Sequence, residues 1–266
     1  MKKLNQWIFV LLIIAISITG RALLRSSNTP TPADYELENF DLTNFDEHST
    51  KIDNAWFPLK AGTQWVYEGS TNEEGEEITH RLVFTVTDLI KEIGGVHAVV
   101  AWDQDFAAGE LVETELAFFA QDKDGVVWYL GEYPEEYENG DFVAAPAWIH
   151  GFEDAQAGIS MKKEPELGAP SYSQGWGPEV NWTDRAQVSE VDQKICVPFN
   201  CYEDVLVIEE FNQEELNAFQ PKYYARGVGN ISVSWKGDDT TKETLELIDF
   251  KQLTPVELEE VRLEAL

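Results

Sequence analysis

Apolar and polar side chains alternate at every second position in a series of short runs between Trp65 and Leu247. One run places Val96, Ala98 and Val100 on a single side of the chain. A period of two is that of a β-strand, because successive side chains point to opposite faces. The runs are rich in β-branched and aromatic residues and are separated by short polar turns, so the pattern predicts about ten antiparallel strands.

A sheet of that size must curve to cover its apolar faces. We therefore predict an all-β fold over residues 51–254, an antiparallel meander curled into a barrel, half-barrel or sandwich. A C-terminal helix is expected over 255–266. Thr254 can cap it, Pro255 suits the first helical position and Glu257 completes a capping box.

The stretch from 133 to 182 breaks the period and predicts a long irregular insertion. It contains five prolines and several glycines. Irregular segments of this length are usually lids, binding loops or covers of a sheet edge. Its three tryptophans are the candidate binding residues of the chain: Trp148, Trp176 and Trp182.

The first 22 residues are expected to be a signal peptide or an N-terminal anchor. Lys2 and Lys3 precede the apolar run Trp7–Ile18, which is shorter than the ~20 residues of a spanning helix and suits a secretory signal. Residues 23–50 follow as an acidic linker. We expect the protein to be extracytoplasmic, whether periplasmic, on the cell surface or secreted.

The charge balance excludes whole classes of partner. Lys and Arg number 19 against 49 Asp and Glu, a net charge of -30. Nucleic acid and anionic lipid would repel such a surface, so membrane contact is expected only through the N-terminal segment if it is not cleaved. Because the chain is 43% hydrophobic and 12% aromatic, a sizeable core can form.

The common catalytic and metal-binding motifs are absent from the sequence. It contains no Gly-rich phosphate loop, no His-Glu-x-x-His and no Gly-x-Ser-x-Gly, and the four histidines are scattered. His80 and His97 lie in or beside predicted strands, where a surface or core role is expected rather than metal ligation. We therefore expect no cofactor and no metal site, and the sequence favours a protein that is not an enzyme.

The only two cysteines, Cys196 and Cys201, predict a disulfide across a hairpin. Pro198 and Asn200 between them are turn residues, and strand patterns flank both sides. An exported chain enters an oxidising compartment in which such a pair can bridge.

The sequence Gln-Asp-Lys-Asp-Gly at 121–125 permits two interpretations. Its aspartates could bind calcium, but an EF-hand loop needs further oxygen ligands, and Val126, Val127 and Trp128 follow instead. Asp124-Gly125 between two strands predicts a type I′ turn with both residues at positive φ. Asp122 is then expected to be exposed, and a weak surface calcium site is the alternative.

Paired acidic residues mark two neighbouring predicted strands. Asp103 and Asp105 share one face, and Glu113 and Glu115 share a face of the next strand. An acidic solvent-exposed face is the expected explanation. Two carboxylates ~5 Å apart could instead catalyse retaining glycoside hydrolysis.

Three segments resemble a group of uncharacterised bacterial exported β-rich proteins. They are Trp56–Gly69 (WFPLKAGTQWVYEG), the hairpin at 121–132 and Lys222–Gly229 (KYYARGVG). The resemblance covers roughly residues 50–250 and implies an exported all-β domain, but no activity. Arg226 stands where the group would be expected to have proline, and the cysteine pair departs from it as well.

The combined expectation is an exported, non-enzymatic β-domain of the cell envelope that binds an apolar small molecule or a partner protein. A curved sheet with an apolar interior is a common means of holding such a ligand. A glycan hydrolase with paired carboxylates and a purely structural envelope protein are the alternatives.

Overall fold

The computed structural model describes residues 36–73, 75–213, 215 and 217–266. The expected signal or anchor segment and residues 23–35 of the expected linker lie outside this part. The described residues form these elements: β1 (Thr63–Glu73), β2 (Glu76–Ile93), β3 (Val96–Ala107), β4 (Glu110–Gln121), β5 (Val127–Glu138), β6 (Asp141–Ala144), β7 (Trp148–Ile149), β8 (Gln156–Met161), β9 (Tyr172–Ser173), β10 (Gly175–Trp176), β11 (Arg185–Cys196), β12 (Cys201–Phe211), β13 (Ala218–Ala225), β14 (Gly229–Val233), β15 (Lys236–Gly237), β16 (Thr244–Gln252) and the helix α1 (Pro255–Glu264).

The strands form one large antiparallel sheet that is not closed into a barrel, which confirms the all-β prediction. Its order is β10-β8-β5-β4-β3-β2-β1-β16-β14-β13-β12-β11-β9. Consecutive strands from β1 to β5 are neighbours, as in the predicted meander. The strands exceed the predicted ten because the stretch 133–182 contributes several that are only two residues long.

This stretch also contacts both edges of the sheet. Residues of β9 pair with β11 at one edge, and residues of β10 pair with β8 at the other. A single residue, Gln174, separates the two short strands. The predicted insertion therefore supplies the edge strand at each end of the sheet, and one residue joins the two.

Residues 36–50, the described part of the expected linker, lie against the sheet. The carbonyl oxygen of Glu36 accepts a hydrogen bond from Arg185. The ring of Phe40 meets that of Trp128 edge to face, with centroids 5.2 Å apart. The β-domain is thus covered on this side by chain that precedes its first strand.

The helix α1 has the predicted start. The Thr254 side chain accepts from the Glu257 backbone, the Glu257 side chain accepts from the Thr254 backbone, and Pro255 is the first helical residue. Arg262 joins the helix to β2 through an ion pair with Asp88 at 2.7 Å. This docking matters because a helix of this length is marginal in isolation.

Cys196 and Cys201 are bonded to each other, which confirms the predicted disulfide. They face each other across the β11–β12 hairpin.

We expect replacement of both cysteines by serine to lower the free energy of unfolding by ~2 kcal/mol, because the closed loop is short. Urea unfolding of the parent and the double variant measures this difference. Thiol labelling of the denatured, unreduced protein is the control and should modify neither cysteine. A loss far above this value would mean that the serines disturb the hairpin itself.

The hairpin between β4 and β5 differs from the predicted type I′ turn. The Gly125 N–H donates to the Asp122 carbonyl at 3.0 Å, so Lys123 and Asp124 are the central residues. Gly125 follows them at φ 85°, whereas Asp124 is not at positive φ. A turn followed by a left-handed glycine is another common hairpin connection, and it needs only one residue at positive φ.

Gly125→Val is expected to destabilise the fold by ~1 kcal/mol or more, because a branched side chain disfavours this backbone conformation. The added Cβ would also lie 3.1 Å from the Lys163 side chain. Thermal melts of Gly125→Val, alone and combined with Lys163→Ala, separate the two causes. The loss should persist in the double variant, and full recovery there would assign it to the steric contact instead.

Candidate functional site

The curved sheet encloses a cavity on its inner face. The cavity has a volume of about 90 Å³. Strands β1 to β5 and β12 to β14 supply most of its wall, and Phe57, Pro58 and Leu59 close it from the segment before β1. Aromatic rings make up much of the lining: Phe57, Trp65, Tyr67, Phe84, Phe119, Tyr129, Trp182 and Tyr224.

Three acidic residues line this aromatic wall, Asp103, Glu115 and Glu210, and the first two form a pair. Asp103 on β3 is directly opposite Glu115 on β4, and both line the cavity. Their exposed fractions are 5% and 2%, and those of Asp105 and Glu113 are equally small. The predicted acidic solvent face is therefore wrong. The paired acids point into the molecule, because β3 is buried on both of its faces.

Neither carboxyl group of this pair is fully hydrogen-bonded. Oδ1 of Asp103 and Oε2 of Glu115 are buried and have no hydrogen-bond partner among the described residues. The Tyr129 hydroxyl lies 3.4 Å from the other Glu115 oxygen, but it is only 2.5 Å from Oε2 of Glu132 and is engaged mainly there. Buried polar atoms normally have partners, so these two oxygens are exceptions that call for a cause.

Burial raises the pKa of both carboxyl groups well above the usual range. For Asp103 the next contribution is the negative charge of Asp105. For Glu115 it is the charges of Glu132 and Glu113. Desolvation disfavours the ionised form and neighbouring like charges add to the effect, so both side chains hold a proton more tightly than a free carboxyl group does.

The same cavity has two unpartnered hydrogen-bond donors. Nε1 of Trp182 and Nδ2 of Asn230 are buried and lack a partner among the described residues. The remaining charged groups at the wall are paired, since Lys222 Nζ lies 2.5 Å from Oε2 of Glu210. Four side chains that line the cavity thus each carry a buried polar atom without a partner among the described residues, two on carboxyl groups and two on donors.

A second polar cluster is buried in the sheet and consists of His80, Asp105, Gln220 and Glu243. Nε2 of His80 is 2.6 Å from Oδ1 of Asp105, and Nδ1 is 3.1 Å from Oε1 of Glu243. The second contact is off the hydrogen-bonding direction and acts as an ion pair. The other Glu243 oxygen accepts from Gln220 at 2.5 Å. His80 thus has a buried structural role, as expected for a histidine that is not a metal ligand.

The acidic residues of this cluster determine the pKa of His80. Burial alone would lower the pKa of His80, but the charge and hydrogen bond of Asp105, with a further contribution from Glu243, raise it to about 11. His80 is therefore an imidazolium held between two buried carboxyl groups. Within the described ranges no three His, Cys, Asp or Glu side chains are grouped as metal ligands.

The three candidate tryptophans are all buried, and only Trp182 lines the cavity. Trp148 stacks on Trp182 with ring centroids 5.5 Å apart and so packs against the ring that lines the cavity. Gly177 permits this packing, because a Cβ there would lie 2.8 Å from the Trp148 side chain. Trp176 is in β10, away from the cavity wall.

Sequence reasoning missed Asn230, Glu210 and Lys222 as cavity residues. Each lies on β12, β13 or β14 and lines the cavity. A lysine beside Tyr223 and Tyr224 was the available signal, because a charge on an inward face needs a partner.

Comparison with known proteins does not assign the chain to a family. No family model matches the sequence, and no curated protein matches it. Among solved structures, a candidate exported protein with a YmcC-like fold from Bacteroides fragilis is 13% identical, with a TM-score of 0.43, and the match covers 74% of this chain and 99% of that one.

A candidate lipoprotein from Parabacteroides distasonis is 12% identical, with a TM-score of 0.40, and the match covers 75% of this chain and 100% of that one. Neither likeness bears on ligand or activity. In the part of the chain that the structure describes, no helix has the length and apolar character needed to cross a membrane.

Proposed function

We propose that the chain is an exported, non-enzymatic β-domain that binds one small molecule in the cavity of its curved sheet. The observation that supports this most is that four side chains lining a single aromatic cavity each carry a buried polar atom with no partner among the described residues. Leaving such atoms unpaired costs ~1–3 kcal/mol each, and a ligand that bonds to them removes that cost.

The same atoms narrow the kind of ligand. A purely apolar molecule, the ligand expected from the sequence, would contact the rings but leave the Asp103, Glu115, Trp182 and Asn230 atoms unsatisfied. A molecule with an apolar body and polar groups at its ends matches the whole wall. We therefore propose an amphipathic ligand in place of an apolar one.

Native mass spectrometry of the protein purified from its own host tests the binding. The expected result is a retained mass that disappears on denaturation. Ala117→Leu, which adds a side chain at the cavity wall, should lose that mass. Ala120→Leu lies on the opposite face of β4, outside the wall, and should keep it. Loss in both variants, or no retained mass in the parent, would contradict ligand binding.

Export is supported by the basic start and the apolar run Trp7–Ile18. N-terminal sequencing of the protein from the extracytoplasmic fraction should find a start between about residues 20 and 30 if the segment is cleaved, or Met1 if it is an anchor. Recovery of the intact chain in the soluble cytoplasm would contradict export.

Glycoside hydrolysis is the second candidate, because Asp103 and Glu115 face each other inside a cavity. A retaining hydrolase needs one of its two carboxyl groups ionised as the nucleophile. Burial raises the pKa of both groups, which weighs against that role. Release of nitrophenol from aryl glycosides, abolished in both Asp103→Asn and Glu115→Gln, would establish the hydrolase.

A further inference from the structure

We propose that the ligand of this cavity is a small organic amine that also carries a hydrogen-bond acceptor, and that Asp103 and Glu115 together receive its ammonium group. The inference rests on the proposed ligand binding and specifies the chemical class of the ligand.

The first support is that the one basic side chain described at the cavity wall is engaged with another acid. That side chain is Lys222, which lies 2.5 Å from Glu210. The Asp103 and Glu115 oxygens that lack partners are buried, and the two residues are directly opposite each other on β3 and β4. An ammonium group between them would donate to both carboxyl groups and favour their ionised form.

The second support is the ring content of the wall. Phe119 and Tyr129 are stacked with centroids 4.9 Å apart, and Tyr129 and Trp182 are 6.0 Å apart. Aromatic faces attract cations through their quadrupole, most strongly in sites shielded from water. Rings beside a pair of carboxyl groups form the combination that selects an ammonium group over a neutral one.

The third support is the pair of donors elsewhere in the wall. Trp182 Nε1 and Asn230 Nδ2 can only donate, so the ligand must offer a hydroxyl, ether or carbonyl oxygen to them. The cavity volume of about 90 Å³ suits a small molecule. An amino alcohol with a compact apolar body satisfies every part of this wall.

Binding of a cation should be linked to proton release, because burial raises the pKa of both carboxyl groups and a cation favours their ionised form. The groups that act on Asp103 are Tyr67, His80, Asp105 and Glu243. Those that act on Glu115 are Asp103, Glu113, Tyr129 and Glu132. An ammonium ion stabilises the ionised form of the pair, so its affinity should rise with pH until the amine itself loses its proton.

Calorimetry with two probes of equal size tests the inference. The probes are trans-4-aminocyclohexanol and cyclohexane-1,4-diol, which differ in the replacement of an ammonium group by a hydroxyl. The amine should bind at least about tenfold more tightly than the diol near pH 7.5. Repeating the titration in buffers of different ionisation enthalpy should show net proton release for the amine and none for the diol.

Two variants of β4 provide the matched comparison. Glu115→Gln should remove the preference for the amine and the proton release. Glu110→Gln, at the exposed start of β4, does not line the cavity and is not among the groups that act on Asp103 or Glu115, so it should keep both. If Glu115→Gln does not fold, the two probes on the parent protein still decide the question.

The possible results distinguish failure of the amine assignment from failure of the proposed binding function. Diol binding as tight as amine binding would overturn the cationic class and leave ligand binding intact. If neither probe binds and the protein from its host retains no mass, the proposed binding function fails with it. Preference for the amine without proton release would place the ammonium group away from these two carboxyl groups and overturn the assignment of Asp103 and Glu115.

Discussion

The protein is expected to be more stable in mild acid than at pH 8, by ~3 kcal/mol or more. Burial raises the pKa of Glu132 from 4.5 to about 8 and that of Asp184 from 3.8 to about 7. Asp103, Glu113 and Glu115 shift in the same direction, with burial as the main cause. Each tenfold difference in proton affinity is worth about 1.4 kcal/mol, so a few such groups are enough.

The direction follows from where the protons bind. Between about pH 4.5 and 8 the unfolded carboxyl groups are ionised while the buried ones keep their protons, so unfolding releases protons and stability falls as pH rises. His80 acts in the same sense, since its pKa rises from 6.5 to about 11 on folding. Its stabilisation is complete below pH 6.5 and is lost as pH approaches 11.

Urea unfolding at about pH 5.5 and pH 8.0 measures the effect, and both values lie above the sequence pI of 4.3. Glu132→Gln keeps an acceptor for Tyr129 but cannot ionise, so this variant should be more stable than the parent at the higher pH. Glu77→Gln, at an exposed position of β2, should leave the pH dependence unchanged. A free energy of unfolding that is higher at pH 8.0 than at pH 5.5 would contradict the prediction that the buried carboxyl groups keep their protons.

The features that the sequence predicted depend on local patterns. The strands of the meander, the capping box at Thr254 and the Cys196–Cys201 bridge each follow from a few neighbouring residues. A period of two reports that a strand has two faces, and a Thr-x-x-Glu pattern reports a helix start. These inferences need no knowledge of what the rest of the chain covers.

Features that depend on long-range contacts were not predictable in this way. The alternation around Asp103 and Glu115 does not reveal which face is the inner one, because β3 is buried on both sides. An acidic face is normally turned to solvent. Here the sheet curves over it, and the segment 133–182 and residues 57–59 enclose it, so charges that look like surface residues form the cavity wall.

Asp122 shows the same limit at a single residue. Sequence patterns predicted an exposed carboxylate with a minor local role, but it is 7% exposed and accepts three hydrogen bonds. Its Oδ1 accepts from the backbone of Asp124 and Val126, and its Oδ2 accepts from Trp128 Nε1 at 2.9 Å. The last contact depends on where β5 places the Trp128 side chain relative to the turn, and the sequence Asp-Lys-Asp-Gly does not specify that position.

Asp122→Ala is therefore expected to lower the free energy of unfolding by ~3 kcal/mol or more, because three donors lose a charged acceptor. Asp122→Asn should be intermediate, since it retains one acceptor oxygen but directs an amide toward the Trp128 N–H. Asp124→Ala, at the exposed position two residues on, should cost less than ~1 kcal/mol. Chemical denaturation of the three variants gives these differences.

The same series decides between the turn and the calcium interpretations of 121–125. Both Asp122 oxygens are occupied by protein donors, so a calcium ion would have to displace those bonds. Millimolar calcium should then leave the Tm of the parent at its value in chelator, and Asp122→Ala should be destabilised equally in both. A calcium ion that binds the folded state alone must raise its Tm. A rise in the parent that is lost in both Asp122→Ala and Asp124→Ala would show that the two aspartates form a calcium site.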